Sequence, residues 1–160
     1  MIGILSDSHD NIPMIKQAVR FFNNMNCCLV IHAGDFVAPF AAKELHGLSC
    51  RVKAVFGNCD GEKHGLKKAI DPIGEIHESP LRFQYDGLRF LVTHLNSYVD
   101  RYLAEGNADV CIFGHTHKPE IKIKGKILII NPGESGGWVS GKGTVALFDT
   151  QRRNAEIYTL

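Results

Sequence analysis

Residues 2–9 of the chain read IGILSDSH. The apolar run at residues 2–5 predicts a short strand that is buried on both faces, because no polar residue interrupts it. Asp7 and His9 follow this run almost directly. The stretch therefore predicts a buried strand that carries two chemically active side chains at its carboxyl end.

The pattern after this strand alternates between helix and strand. Residues 13–25 place apolar side chains at helical spacing, which predicts a helix, and residues 38–46 predict a shorter one. Residues 28–31 and 52–56 are apolar runs that predict a second and a third buried strand. This β-α-β-α-β order favours a parallel sheet with right-handed crossovers.

The second half of the chain is richer in strands. Residues 97–105 predict a helix with Ser97 as its N-cap, and residues 110–113 predict another buried strand. Three hairpins are also predicted, formed by residues 81–85 and 88–93, by residues 120–124 and 126–130, and by residues 144–149 and 155–159. We expect a single domain over residues 1–160, with two packed sheets and the helices outside them.

Composition and charge exclude few classes of protein. The chain has 160 residues, 44% of them hydrophobic, and 18 Lys+Arg against 17 Asp+Glu give a net charge of +1. Such a balance argues mildly against nucleic acid as a partner without excluding it. We expect no leader peptide and no membrane span. The 5 cysteines form no CxxC pair, which favours a reduced, cytoplasmic setting.

Polar side chains follow five of the predicted apolar runs. Because parallel strands present their carboxyl ends at one edge of a sheet, we expect these side chains to converge there. The candidate ligands are Asp7, His9, Asp35, Asn58, His94, His115 and His117.

These candidates are oxygen and imidazole donors, which suit Mn, Fe, Zn, Ni or Co and need no thiolate. Seven ligands are too many for one ordinary site, and they fit two metal ions that share a carboxylate. With two divalent ions, two aspartates and one bridging hydroxide, the centre would stay cationic and attract a phosphate anion. Two metal ions about 3.5–4 Å apart clamp both oxygens of a phosphoryl displacement. Each motif alone is weak, and only their joint occurrence at strand ends is specific.

Five motifs in this order resemble the calcineurin-like metallophosphoesterase superfamily: DSH at 7–9, GD at 34–35, GNCD at 57–60, TH at 93–94 and GHTH at 114–117. The chain length and NPGES at 131–135 are similar to its small YfcE-type phosphodiesterase branch. The resemblance implies a metallo-dependent phosphatase-like fold, which is α/β in four layers with two stacked mixed sheets flanked by helices. It also implies hydrolysis of a small phosphodiester.

The resemblance further implies a role for each matching residue. The first metal site would comprise Asp7, His9, Asp35 and His117, and the second Asp35, Asn58, His94 and His115. A metal-bridging hydroxide would attack phosphorus in line, with Asp35, Asn58 and His94 as the catalytic residues. Manganese is the ion we expect first, and nickel, iron and zinc are the alternatives.

Two positions depart from the family pattern. Many relatives have a histidine at the position of Cys59 that donates a proton to the leaving group, and relatives usually have glycine at the position of Leu95. Cys59 or, alternatively, His64 is the candidate proton donor here. Cys59 could instead be an additional metal ligand or a nucleophile. Leu95 is expected to narrow the pocket beside His94.

Other functions remain open at the level of the sequence. The same fold serves as a protein-binding scaffold in a retromer subunit, so a non-catalytic role is one alternative. A phosphomonoesterase and a nuclease are two others. The loop at residues 133–143 could line the substrate pocket or be a plain turn, and Trp138 in it could lie at a contact between subunits of a homo-oligomer.

Overall fold

The structure is a computed structural model that describes all 160 residues. Its strands, in chain order, are β1 (Ile2–Leu5), β2 (Leu29–His32), β3 (Arg51–Val55), β4 (Gly74–His77), β5 (Leu81–Tyr85), β6 (Leu88–Val92), β7 (Val110–Ile112), β8 (Glu120–Lys124), β9 (Ile127–Asn131), β10 (Thr144–Asp149) and β11 (Asn154–Thr159). The α-helices are α1 (Ile12–Asn24), α2 (Pro39–Ala42), α3 (Lys63–Ile70) and α4 (Val99–Ala104). Two 3₁₀ turns cover Lys43–Gly47 and Asn96–Tyr98.

The strands form two mixed sheets. The first sheet has the order β11-β10-β1-β2-β3-β4, in which β1 to β4 are parallel while β10 and β11 add antiparallel pairs. The second sheet has the order β5-β6-β7-β9-β8, with a parallel centre and an antiparallel strand at each edge. The predicted pair of mixed sheets is therefore confirmed.

Three hydrophobic clusters hold the layers together. The largest lies between the first sheet and helices α1 to α3, and its centre is the fully buried Phe22. The second lies between the two sheets, where Ile4 and Phe90 belong to one continuous cluster. The third packs α4 against the outer face of the second sheet through Val99 and Leu91. The order of layers is helix, sheet, sheet, helix, as the resemblance implies.

Most predicted elements are confirmed with small shifts of their ends. The three hairpins are present, and so are the strands predicted at residues 28–31, 52–56 and 110–113, which correspond to β2, β3 and β7. Helix α1 begins after Asn11, whose side chain accepts a hydrogen bond from the backbone N–H of Met14, and it buries one apolar face. None of the helices has the length and the apolar composition that crossing a bilayer requires.

Two predicted helices are wrong in their extent, and two elements were not predicted. The helix predicted at residues 97–105 is split into a 3₁₀ turn and the short α4, and Ser97 is not its cap. The helix predicted at residues 38–46 likewise ends after α2 and continues as a 3₁₀ turn. Helix α3 and strand β4 were not predicted, because α3 is short and lysine-rich and β4 buries only Ile76.

Gly3, in β1 of the first sheet, packs closely against the side chain of Phe22 in α1. A β-carbon at Gly3 would lie 2.5 Å from Cδ1 of the Phe22 ring, and the ring is fully buried. The glycine in IGIL is thus required for the contact between the central strand β1 and the helix that covers it.

We expect Gly3→Ala to lower the free energy of unfolding by about 1–3 kcal/mol, because the added methyl group overpacks a site that cannot relax. Urea unfolding followed by circular dichroism measures this loss. Gly61→Ala is the matched control, since a β-carbon there meets no atom within 4 Å. Equal stability of the two variants would contradict the packing described here.

Candidate metal centre

The loops that follow β1, β2, β3, β6 and β7 converge on one region and carry the predicted ligands. Hydrogen bonds between main chains join them, such as that from the His9 N–H to the Asp35 carbonyl at 3.1 Å. Asp7, Asp35 and His94 are buried, with relative exposures of 0%, 2% and 2%. Side chains separated by more than a hundred residues of sequence thus share one site.

The first group of donor atoms contains Asp7, His9 and His117, whose ligand atoms all lie within 4.8 Å of one another. His117 Nε2 is 3.4 Å from Asp7 Oδ1, and His9 Nε2 is 3.8 Å from the same oxygen. The two imidazole rings stack with their centroids 5.2 Å apart. These are three of the four residues that the sequence predicts as ligands of a first metal ion.

The second group contains Asp35, His94 and His115, again within 4.8 Å of one another. His94 Nε2 is 3.3 Å from Asp35 Oδ2 and 2.9 Å from Asn58 Oδ1. Asp35 Oδ2 also lies 3.6 Å from His9 Nε2, in the first group. Asp35 therefore faces both groups, as a shared carboxylate would.

The buried groups in this site fit divalent cations. His9 Nε2 is buried and has no hydrogen-bond partner. Burial raises the pKa of the Asp7 carboxyl, so its charged form needs a nearby cation. Histidine nitrogens with carboxylate and amide oxygens are donors that Mn, Fe, Ni and Zn accept. The site thus has the donor types, the burial and an unpartnered nitrogen suited to metal ions.

His94 is oriented for ligation by its second ring nitrogen. Its Nδ1 lies 2.8 Å from the carbonyl oxygen of Ala33, which can only accept, so Nδ1 carries a proton and Nε2 faces the site. Burial alone would lower the pKa of His94, but its hydrogen bond to Asp35 and the charge of that residue raise it. Nε2 is thus the nitrogen of His94 that faces Asp35 and Asn58.

Asp35 is the candidate ligand that faces both donor groups. Burial alone would raise its pKa, but interactions with His94 and the N–H of Cys59 outweigh burial and lower it. The Cys59 N–H donates to Asp35 Oδ1 at 2.8 Å. Asp35 consequently stays ionised, ready to balance positive charge on both sides.

Two supporting carboxylates were missed in the sequence. Asp60 is 2% exposed and accepts hydrogen bonds from the backbone N–H groups of Asp35, Val37 and Gly57, at 3.0, 2.8 and 2.7 Å. It ties the loop after β2 to the loop after β3. The sequence shows Asp60 only as the last residue of GNCD. Its structural role depends on contacts with backbone N–H groups that the linear sequence does not show.

Glu134, from the NPGES motif, is the second. It is fully buried, and its Oε2 lies 3.1 Å from His117 Nδ1. The same carboxylate accepts from the backbone N–H groups of Val139 and Ser140. Burial would raise its pKa, but these N–H groups outweigh that effect and lower it. Glu134 thus couples the orientation of His117 to the loop at residues 133–143.

That loop also contacts the site directly. The indole Nε1 of Trp138 donates to the carbonyl oxygen of His9 at 3.0 Å, while 64% of the residue is exposed. Asn11, which caps α1, donates from Nδ2 to the carbonyl of Gly136 at 2.6 Å. The loop is therefore fastened to the ligand-bearing segment after β1 and is more than a plain turn.

The two candidate proton donors lie in different surroundings. The Cys59 sulfur lies within 4.8 Å of ligand atoms of His9 and Asp35, and it accepts a hydrogen bond from Asn58 Nδ2 at 3.3 Å. Partial desolvation and the charge of Asp35 raise the pKa of the Cys59 thiol to about 11. His64, in contrast, lies on α3 and lines a separate cleft with Lys67 and His77. The structure brings Cys59 into the site and leaves His64 outside both ligand groups.

Five of the seven expected ligands have backbone φ angles in the left-handed region. The angles are 52° for Asp7, 40° for His9, 61° for Asp35, 69° for His115 and 59° for His117. Residues other than glycine rarely adopt such angles, and where they do the strain is often linked to function. The chain bends sharply just after each strand, which turns these side chains toward a common centre.

The fold and the site together define a metal-dependent phosphoesterase. The chain belongs to the calcineurin-like phosphoesterase superfamily, whose domain model matches residues 1–153.

Particular relatives sharpen this assignment. The chain is 38% identical over 156 residues to phosphodiesterase MJ0936 of Methanocaldococcus jannaschii, covering 95% of this chain and 94% of that protein. It is 27% identical over 142 residues to phosphodiesterase YfcE of Escherichia coli K12, covering 80% and 75%. A solved structure described as a novel archaeal phosphodiesterase superposes with a TM-score of 0.93 at 36% identity, covering 99% of both chains. The predicted assignment to the YfcE-type phosphodiesterase branch of the superfamily is therefore confirmed.

We expect Glu134→Gln to weaken metal binding by about 10–100-fold, the usual cost of losing the partner that orients a ligating histidine. The glutamine has one acceptor oxygen for three donors, and its NH₂ group would face a backbone N–H. Calorimetric titration of the metal-free protein with Mn²⁺ measures the change. Glu105→Gln, at the exposed end of α4, is the control, and unchanged affinity in Glu134→Gln would contradict the role assigned to Glu134.

Proposed function

We propose that the chain is a dinuclear-metal phosphodiesterase of one domain, in which hydroxide attacks phosphorus in line. The observation that carries this proposal is Asp35, whose Oδ2 faces His9 in one donor group and His94 in the other. A carboxylate shared by two groups of nitrogen and oxygen donors is what a pair of ions requires.

The donor set is suited to two divalent metal ions, which would bind a negatively charged substrate. Asp7, His9 and His117 would hold one ion, and Asn58, His94 and His115 the other, with Asp35 between them. When bound, two divalent ions would lower the pKa of a water molecule and neutralise charge that develops on the phosphoryl oxygens. We expect Mn²⁺ first and Ni, Fe or Zn as alternatives, because imidazole and carboxylate accept all of them.

The protein's own groups would position the substrate and balance the protons. The Asn58 amide is exposed beside His94, where its Nδ2 could donate to a phosphoryl oxygen. In the reaction, hydroxide forms a new bond to phosphorus, the ester P–O bond breaks, and the leaving oxygen takes a proton. The thiol of Cys59 lies in the site, so it is the candidate donor, with water as the other source.

A small diester is the substrate class that we favour over the alternatives. The net charge of +1 argues mildly against a nucleic acid. Phosphomonoesters, and a purely protein-binding role, are distinguished by the experiment below. Free thiols at all five cysteines agree with a reducing cytoplasm, which we propose as the compartment.

We expect the Mn²⁺-loaded protein to hydrolyse bis-p-nitrophenyl phosphate faster than p-nitrophenyl phosphate, with two equivalents of metal by elemental analysis. Asp35→Asn should lower kcat/KM by at least about a hundredfold and reduce metal content, since one substitution damages both groups. Asp71→Asn, exposed at the end of α3, is the control. No hydrolysis and no metal uptake by the unaltered protein would favour the scaffold, and near-normal turnover of Asp35→Asn would refute the shared ligand.

We expect Cys59→Ser to retain measurable activity on bis-p-nitrophenyl phosphate, because nitrophenolate leaves without help from an acid. A diester with an alkyl leaving group should suffer more if the thiol donates the proton. Steady-state rates on the two substrates give this comparison. Complete loss on the activated ester would instead assign the thiol a direct role in metal binding or attack.

A further inference from the structure

A small cavity opens beside the second donor group. Its volume is about 270 Å³, and Asn58 and His94 form part of its wall. The other lining residues come from the loop after β3, the segment before β5, the end of β6 and the start of α4: Phe56, Gly57, Glu78, Ser79, Thr93, Leu95, Tyr98 and Tyr102. A group attached to a phosphate at the metal centre could enter this cavity directly.

Three of the ten residues that line the cavity are Phe56, Tyr98 and Tyr102. Tyr98 and Tyr102 are one helical turn apart, their ring centroids are separated by 5.7 Å, and the planes are tilted by 31°. Tyr98 remains 42% exposed, and Phe56 lines the same cavity. Exposed aromatic faces of this kind bind flat rings by stacking.

The inner wall offers hydroxyl groups. Thr93 is fully buried, yet its Oγ1 has no hydrogen-bond partner in the protein. The neighbouring Ser79 Oγ accepts from the His94 N–H at 3.3 Å and keeps its own proton for another acceptor. Thr93 Oγ1 is inaccessible to solvent, so Ser79 Oγ is the hydroxyl of this wall that a polar atom of a ligand could contact.

The charge of the wall disfavours a second phosphate. No lysine or arginine is among the ten lining residues, and the carboxylate of Glu78 is paired with Lys63 at 2.8 Å. A larger groove of about 770 Å³ near Thr116 does contain Lys118, Lys122 and Lys124. Two of those lysines, however, are paired with Glu120 and Asp100. The cavity by His94 thus suits an uncharged, flat group.

We propose that this cavity binds the planar aromatic ring of an alcohol or phenol that is esterified to the scissile phosphate, either the base of a nucleoside or a simple aryl ring. Whole ligands occupy pockets of about 300–1,000 Å³, so a cavity of about 270 Å³ accommodates one substituent. Leu95, the bulky departure from the family pattern, forms one of its apolar walls. This binding site rests on the proposed function, since the phosphate must lie at the metal centre.

Binding to the Mn²⁺-loaded full chain tests the site without requiring hydrolysis. We expect thymidine 5′-monophosphate to bind about tenfold more tightly than 2-deoxyribose 5-phosphate, and phenyl phosphate about tenfold more tightly than methyl phosphate. Calorimetric titrations give the four dissociation constants. Preference within the first pair alone identifies a nucleobase, and preference within both pairs identifies any aromatic ring.

Substitutions in the cavity wall test whether the aromatic ring of the ligand binds there. Tyr98→Ala should remove the preference, Tyr98→Phe should keep it, and Phe40→Ala, an exposed aromatic residue on α2, should leave all four constants unchanged. Thermal melts followed by circular dichroism verify that each variant is folded, and Tyr102→Ala replaces Tyr98→Ala if the latter is not.

Two results would overturn this site. One is equal affinity within both ligand pairs, and the other is a ring preference that survives in Tyr98→Ala and Tyr102→Ala. Diester hydrolysis without any ring preference would refute the cavity alone. A ring preference in a protein that hydrolyses no ester would refute the proposed function and retain the cavity.

Discussion

The burial of two carboxylates, those of Asp7 and Asp35, determines which groups can lie at the carboxyl edge of the first sheet. Both lie at the carboxyl ends of neighbouring parallel strands and are almost inaccessible to solvent. Burying two like charges side by side is unfavourable unless positive charge accompanies them. His94, whose pKa is raised beside Asp35, and the expected metal ions supply such positive charge.

The surrounding structure serves to hold these donors in place. Asp60 accepts hydrogen bonds from three backbone N–H groups and so joins the loop after β2, which carries Asp35, to the loop after β3. His32 is fully buried beneath them, where it stacks on Phe36 and accepts from the Gly34 N–H. Burial lowers the pKa of His32 to about 3, so it is neutral and adds no charge to the site. Packing and hydrogen bonds thus position the ligands before any ion arrives.

The sequence predicted the parts of the fold that depend on local pattern. The alternation around Asp86-Gly87 placed one hairpin correctly, and the strand-end polar residues anticipated which side chains meet. Strand β4 was missed because an edge strand with a single buried residue leaves no periodic signal. Glu134 and Asp60 were missed because their roles depend on N–H groups brought close only by folding. The cavity beside His94 was equally invisible, since four separate segments form it.

The left-handed backbone at five ligand positions has a consequence for the evolution of this fold. Each such residue costs about 1 kcal/mol or more, and glycine would adopt the same angles without strain. Selection for thermal stability alone would therefore favour glycine at these positions, whereas the same change in the core would be harmful. The strained ligand positions are therefore kept by function, at a cost to the stability of the folded chain.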